Sequence, residues 1–433
     1  MRVAPAAKGM ADTSLHFWEG EDFGRYLADL ISAEIAWMRP ATAPRQSGYD
    51  SGLSFYAGGL ALDSLESLQL ATAVASALQL QRSSRPDRLQ RLETFGDWIA
   101  ECRLLLREGG GTIGFKSSGS AGAPRLVVHE MSALAQEVEL LAQRFVHARR
   151  IVSFAPAHHI YGFLFTVLLP RRLGVHVMDA RAHSVLSIQS LLREGDLLIA
   201  YPTLWQAAAR SPLRAPNAVE GVSSGAPFDP SAAAALRNSS LASLVEIYGS
   251  TETAGVAWRE DAGDFRLFPY WRKHDEDNIV KQLGDRTVSF RLPDFVAWRD
   301  DKSFMPLRRR DGAVQVAGVN VYPELVRSCL MAHEDVADAR VRLMQPHEGA
   351  RLKAFIVPKR AQADIAALRA ALERWVEERL IAQRPASPRI GRQGQAKGSR
   401  YHDAGLSPHA CAQRRSRPQI FPARRHRPGA CRH

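Results

Sequence analysis

Cysteine is scarce in this chain: four in 433 residues (Cys102, Cys329, Cys411 and Cys431), with no C-x2-C pair among them. That pattern excludes a zinc ribbon or a disulfide scaffold, and a reducing cytoplasm is the expected compartment. An apolar leader is missing too, because MRVAPAAKGMADTS carries no hydrophobic core segment. The longest apolar run, Ile160–Leu169, is too short to cross a bilayer. Neither secretion nor membrane insertion is expected. Acids are lacking at one end: from Gln383 onward twelve Lys/Arg face Asp403 alone, so +11 of the formal +12 lies there. The rest is near neutral, which excludes a nucleic-acid groove spread over the folded part. Internal repeats are also absent.

What remains is a globular composition, 45% apolar and 24% charged, on a chain longer than one core can organise. Two or three domains are expected. Residues 1–19 read as a flexible N-terminus and 20–107 as helices. Phe23, Tyr26, Leu27, Leu30, Ile31 and Ile35 recur at helical spacing, as do Leu65, Leu68, Ala71, Val74, Ala75 and Leu78. A third helix starts at Thr94 as N-cap and buries Phe95, Trp98 and Ile99. From about 111 to 306, short β-branched runs (126–128, 151–154, 175–178, 197–200, 244–247) alternate with helices at 131–147 and 187–193. That rhythm predicts an α/β core on a largely parallel sheet. A polar, Arg-rich break at 307–312 precedes a small α/β unit at 313–385. Its strands are expected at 313–316, 339–343 and 354–357, its helices at 322–331 and 365–379. Residues 386–433 hold too few strongly apolar residues to bury a core and read as a disordered basic tail.

Two stretches carry chemistry. Ser117-Ser118-Gly119-Ser120-Ala121-Gly122-Ala123-Pro124-Arg125 is a Gly/Ser loop ending in a cation. Small residues let backbone N–H groups approach a phosphate, hydroxyls donate to it, and the cation balances its charge. Tyr248-Gly249-Ser250-Thr251-Glu252-Thr253 puts a ring, hydroxyls and a carboxylate on a turn after an apolar strand. The overlapping GGGTIGFKS (109–117) is one residue off a Walker A loop, with Gly119, Gly122 and Pro124 where a helix would have to begin. It reads as a decoy.

SSGSAGAPR resembles the TSGTTGxPK-type phosphate loop of the adenylate-forming ligases, the superfamily of acyl- and aryl-CoA synthetases, peptide-synthetase adenylation domains and luciferases. Further elements follow in that family's order. Ala155–Gly162 is similar to PxxHxxG with His159 at the His, and Gly221–Phe228 to SGGAPL. YGSTE is similar to YGxTE, and Asp294 stands where the family has Thr-Gly-Asp. Arg309–Pro323 is similar to the hinge motif RxDxxxKxxGxxVxPxE. HHIYGFLFTVLLP and YGSTETAGVAWR look closest to the short ligases of aryl-polyene and xanthomonadin-type pigment clusters. The resemblance implies a truncated ligase core with a small C-terminal α/β domain. It implies activation of an aryl or acyl acid with ATP and Mg2+ as acyl-AMP, then transfer to a phosphopantetheine thiol on coenzyme A or an acyl carrier protein. In that scheme Ser117, Ser118, Gly119, Ser120, Gly122 and Arg125 hold the β and γ phosphates. Thr251 takes the α-phosphate, and Glu252 holds the metal. Tyr248 and Gly225 line the adenine, Gly249 and Arg309 also belong to the cofactor site, Asp294 meets the ribose, and Arg309 and Asp311 sit on the hinge. His159, with Tyr161, Gly162 and Ser223, faces the acid.

The chain also departs from that pattern. The hinge lysine is Gln315, and the late Pro-x-x-x-x-Gly-Lys is replaced by PASPRIGRQGQAKGSRYHD, with Lys397 the one lysine present. Loss of a preorganised cation at developing charge costs on the order of 10²–10³ in rate. A frameshift near Arg384–Ile390 and a genuine basic tail both fit, and a catalytically impaired relic or scaffold is the rival reading. A tail that binds nucleic acid is the third. At the other end Leu62-Asp63-Ser64-Leu65 resembles the attachment motif of acyl carrier proteins, which implies a carrier-like 20–107 segment with phosphopantetheine on Ser64. The alternative is a helical subdomain of the ligase in which Asp63 or Ser64 merely caps a helix.

Overall fold

A computed structural model describes residues 16–39, 48–80, 86–109, 111–117, 125–184, 187–210, 214–228, 230–237, 241–260, 263–316, 319–344, 352–359, 364–381 and 419–422. The first helix, α1 (Asp22–Met38), buries the expected stripe Phe23, Tyr26, Leu27, Leu30, Ile31 and Ile35. In α2 (Ser64–Ala77) the stripe is rotated from expectation: Ser67, Leu70, Ala71, Val74 and Ala77 are buried, while Leu65 and Leu68 are 61% and 44% exposed. The cause is local. The Asp63 carboxylate accepts from Glu66 N–H and the Glu66 carboxylate from Asp63 N–H, a capping box. Arg39 at the end of α1 pairs with the same Glu66 and so fixes which face turns inward. Thr94 caps α3 (Phe95–Gly109), its hydroxyl accepting from Asp97 N–H at 3.2 Å.

β1 (Thr112–Ser117) and β2 (Arg125–Glu130) form an antiparallel hairpin with Ser117 opposite Arg125. Next come α4 (Met131–Arg144), β3 (Arg150–Ser153) and α5 (Ile160–Phe163), then a π turn (Leu164–Leu168) and α6 (Leu169–Leu173). The alternation continues through β4 (His176–Asp179), α7 (Ile188–Leu191), β5 (Asp196–Ala200), α8 (Pro202–Ala208), β6 (Glu220–Ser224), α9 (Pro230–Arg237) and β7 (Ser243–Ser250). From there the chain turns to hairpins: β8 (Ala254–Glu260), β9 (Phe265–Leu267), β10 (Trp271–Lys273), β11 (Asn278–Leu283), β12 (Arg286–Arg291), β13 (Asp294–Trp298) and β14 (Ser303–Arg309). One nine-stranded sheet runs β13-β14-β9-β8-β7-β6-β5-β3-β4. Its β4-to-β7 half is parallel and its β7-to-β13 half antiparallel.

The carrier-like reading of 20–107 as a segment of its own needs correction. Phe17, Phe23, Tyr26 and Leu70 belong to the same buried cluster as Phe163, Ile151, Leu197 and Val222 of the sheet region. Phe17 and Tyr26 meet the Phe163 ring edge-on at 5.1 and 5.3 Å. A helical bundle that closed on itself would not spend its largest aromatics on another domain.

A second body follows, with β15 (Val314–Val316), β16 (Val319–Val321), α10 (Pro323–Met331), β17 (Val336–Leu343), β18 (Leu352–Pro358) and α11 (Ile365–Ile381). Its core is separate and includes Val326, Leu330, Ala339, Ile356 and Leu372. The polar break expected at 307–312 is shorter than that, because β14 runs through Arg309 and only Arg310–Gly312 turn. The tail also departs from expectation: Gln419–Pro422 (β19) pairs in parallel with β18, Ala354 opposite Ile420. An open strand edge offers unpaired N–H and C=O groups to any extended segment. Lys397 and the rest of 386–433 lie outside the described residues.

Candidate active site

Four neighbouring parallel strands, β3, β5, β6 and β7, end on the same edge of the sheet. In open α/β sheets, ligands bind beyond the carboxyl ends of such strands. The expected residues follow those ends: His159 and Tyr161 come after β3, Gly225 directly after β6, and Thr251 and Glu252 directly after β7. Tyr201, which the sequence reading did not single out, directly follows β5.

The β7–β8 turn is built from its own sequence. Thr253 Oγ accepts from Ser250 N–H at 3.1 Å and donates to Ala254 O at 3.0 Å, while Ser250 Oγ accepts from Glu252 N–H at 3.2 Å. Ala254 takes a left-handed conformation, φ 57°, which L residues other than Gly, Asn and Asp rarely adopt. The tip presents Glu252 exposed and Thr251 half-buried, with Thr253 buried beneath. His129 of β2 lies behind it, Nε2 2.7 Å from Thr251 O, which it reaches as a donor. Burial lowers the His129 pKa, so the ring stays neutral. Glu137 of α4 accepts from Gly255 N–H at 2.9 Å, and Trp271 Nε1 donates to Gly255 O at 2.9 Å.

A second wall stands beside the turn. The Tyr248 hydroxyl donates to Asp294 Oδ2 at 2.6 Å. Burial first, and then the Asp294 carboxylate, push its pKa well up, so it remains a donor. Asp294 faces Arg309 across β13–β14. Arg309 grips Asp311 in bidentate fashion at 2.9 and 2.7 Å. Burial opposes the charge on Asp311, yet Arg309 holds its carboxyl below the usual range. Arg310 Nε donates toward the carbonyls of Leu292 and Asp294, each at 3.1 Å.

On the acid side Tyr161 directs its hydroxyl at the carbonyls of Ala200 and Val222, 3.2 and 3.1 Å away. Gly162 must be glycine, since a Cβ there would lie 1.9 Å from Pro156 O. Asp29 of α1 accepts from Ala157 N–H at 2.7 Å, in the loop carrying His159, and from Arg181 at 2.6 Å. Burial pushes the Asp29 carboxyl up against that pull. Ser223 is buried in β6. Gly225 sits 3.4 Å, measured from an added Cβ, from the Tyr201 ring. Ser64 is the exposed first residue of α2.

The structure therefore links Tyr248, Asp294, Arg309 and Asp311 in one chain of contacts, with Gly249 at the bulge beside Tyr248, and ties Thr251 to β2. Ser117 and Arg125 stand at the mouth of the phosphate-loop hairpin, but Ser118, Gly119, Ser120 and Gly122 lie outside the described residues. Lys116 of the Walker-like decoy holds Glu34 at 2.6 Å from within β1, a tie to α1. Sequence reasoning missed His129, Glu137, Asp29 and Arg181. A signal existed for the two acids: Asp29 lies three residues after Tyr26 and Glu137 three after Leu134, on apolar stripes. An acid at such a position marks a buried functional contact.

Comparison with known proteins gives a consistent result. The family model described as AMP-binding enzyme matches residues 116–275. A 4-coumarate–CoA ligase of Halorhodospira halophila is 35% identical over 377 residues, 85% of this chain and 94% of that protein. The 4-coumarate–CoA ligase of Rhodobacter capsulatus is 34% identical over 382 residues, 86% of this chain and 96% of that protein. Those aligned lengths cannot be reached without part of residues 20–107. Among solved structures, a malonyl-CoA ligase complex with methylmalonyl-CoA and AMP matches at TM-score 0.51 and 20% identity, over 64% of this chain and 71% of the other. At that identity the likeness is one of fold.

Proposed function

This chain belongs to the AMP-binding enzyme family, and from that premise we propose that it activates an aryl carboxylic acid with ATP and passes the acyl group to the thiol of coenzyme A. The observation that carries the proposal is the common edge at the ends of β3, β5, β6 and β7, where His159, Tyr201, Gly225 and the Thr251–Glu252 turn follow neighbouring strands. The names of the two curated relatives described above, both 4-coumarate–CoA ligases, support an aryl acid and coenzyme A over other choices.

The residues present fit ATP with Mg2+. No cluster of three or more His, Cys, Asp or Glu that could hold a metal occurs among the described residues. Mg2+ does not require one: it commonly takes one or two carboxylates and completes its shell with substrate phosphates and water. Glu252, exposed at the tip of the turn, is that carboxylate. When bound, the metal supplies charge neutralisation across the phosphate oxygens.

The chain's own groups divide the remaining work. Ser117 and Arg125 frame the loop for the β and γ phosphates. Thr251 meets the α-phosphate, while Tyr248 and Gly225 flank the adenine and Asp294 the ribose. A carboxylate oxygen of the acid attacks the α-phosphorus, and the bond to the leaving pyrophosphate breaks. The thiol sulfur then attacks the acyl carbon and gives up its proton as the carbon–oxygen bond to AMP breaks. Arg309 and Asp311 form the joint about which the small body turns between these steps. The thiols of Cys102 and Cys329 are free, as in a cytoplasmic enzyme. A role in pigment assembly fits an aryl acid substrate.

The test is acid-dependent pyrophosphate release by the full chain with 4-coumarate and with 3- and 4-hydroxybenzoate. Release above the no-acid rate is expected for at least one of these acids. No release with enzyme comparable in concentration to ATP sinks the proposal and leaves the relic reading standing.

A further inference from the structure

Glu137 projects from the apolar stripe of α4 between Leu134 and Val138 and is 2% exposed. Burying a carboxyl group is costly unless it is hydrogen-bonded, and helix-on-sheet packing alone would be better served by leucine. Besides the neighbouring Tyr270 hydroxyl, its partner is the backbone of the nucleotide turn: Oε2 accepts from Gly255 N–H. The approach is so close that a Cβ on residue 255 would lie 2.2 Å from Oε1 and 2.7 Å from the Phe268 ring. The other polar group of Gly255, its carbonyl, receives Trp271 Nε1–H. Both backbone groups of one residue are thus satisfied by side chains, directly after the left-handed Ala254. The turn is held at its front as well, through His129 and Thr251 O.

From these contacts we infer that Glu137 is a positioning residue for the nucleotide, fixing the Thr251–Glu252 turn through the amide of Gly255. The inference rests on the reading of that turn as the phosphate site. His129 sits on β2, the second strand of the β1–β2 hairpin, and Glu137 on α4, which follows it directly. The Thr251–Glu252 turn is therefore braced from both sides by one continuous stretch of chain before any ligand arrives. Preorganisation of this kind raises affinity without adding a contact to the ligand.

The experiment uses the full chain and measures AMP affinity by calorimetry, KM for ATP and KM for the acid. Glu137→Ala is expected to weaken AMP binding and raise KM for ATP by about tenfold, the effect of one lost hydrogen bond of this strength. KM for the acid should stay within about twofold, and amide exchange at Gly255 should quicken. Glu137→Gln keeps an oxygen acceptor and should restore most of the AMP affinity. Trp271→Phe removes the indole donor to Gly255 O and part of the buried ring, leaving the Tyr270 hydroxyl 3.4 Å from that carbonyl, and should shift AMP affinity in the same direction by a few-fold. A folded Glu137→Ala protein with unchanged AMP affinity, or with both KM values moved equally, overturns the inference. If Glu137→Ala does not fold, unchanged AMP affinity in a folded Glu137→Leu protein, which fills the site but offers no acceptor to Gly255 N–H, overturns it. Failure of the underlying reading is separately visible, since the unmodified protein would then bind no AMP.

Discussion

Burial raises the Glu137 carboxyl from 4.5 to about 7, with Gly255 N–H, Lys281 and Tyr270 acting in the opposite direction. The folded state therefore holds this proton at pH values where the unfolded chain has released it. The resulting contribution to stability is complete below pH 4.5 and is lost as pH rises through about 7. A shift of this size corresponds to roughly 3 kcal/mol. Glu137→Gln removes the titration, so its melting temperature should gain on the parent between pH 5 and pH 8; parallel curves would contradict this. At Ala254, glycine accepts the left-handed backbone and β-branched residues do not. Ala254→Gly should change stability by no more than about 1 kcal/mol, whereas Ala254→Val should cost about 2 kcal/mol or more by denaturant titration. The residues assigned to ligand by the family pattern could be named from the sequence, because their types and order are dictated by phosphate and carboxylate chemistry. The residues behind them were less so. His129 acts on the backbone at Thr251 and leaves no type-specific signature, while Glu137 stands out as an acid on an apolar stripe but gives no sign that its partner is the amide of Gly255.

The helical elements show where periodicity suffices. In α1 the stripe is unambiguous and every expected residue is buried. In α2, Leu65 and Leu68 compete with Leu70 and Val74 for the inner face, and the capping box with Arg39 decides between them. Because Asp63 already has that capping role, Asp63→Ala should lower stability by about 1 kcal/mol. Ser64→Ala should leave both stability and acid activation unchanged; a loss of activity in Ser64→Ala would revive the carrier reading. The antiparallel half of the sheet was not legible in the sequence. Its short strands, such as Phe265–Leu267 and Asp294–Trp298, lack the strong apolar runs of the parallel half, and the same holds for Arg286–Arg291 in the separate three-stranded sheet of β10, β11 and β12. The junction between α1 and the sheet depends on Arg181, buried between Asp29 and Asp179. Removing it strands two carboxylates, and Arg181→Ala should cost roughly 3–5 kcal/mol.

At the scale of the whole molecule, the helices before residue 110 and the nine-stranded sheet share one core, and the small body after Asp311 has its own. Residues 16–109 expressed alone should therefore show no cooperative unfolding transition; a sharp transition in that fragment would restore an independent N-terminal domain. The central claim is that the site joins a carboxylate oxygen to the α-phosphorus of ATP. It is tested most directly by supplying the full chain with an aryl acid labelled with 18O in its carboxylate, together with ATP, Mg2+ and coenzyme A, and reading the label by mass spectrometry. If acyl-AMP forms and the thiol then displaces AMP, one 18O must appear in AMP and none in pyrophosphate. Thioester formed with unlabelled AMP, or with the label in phosphate or pyrophosphate, would contradict the account.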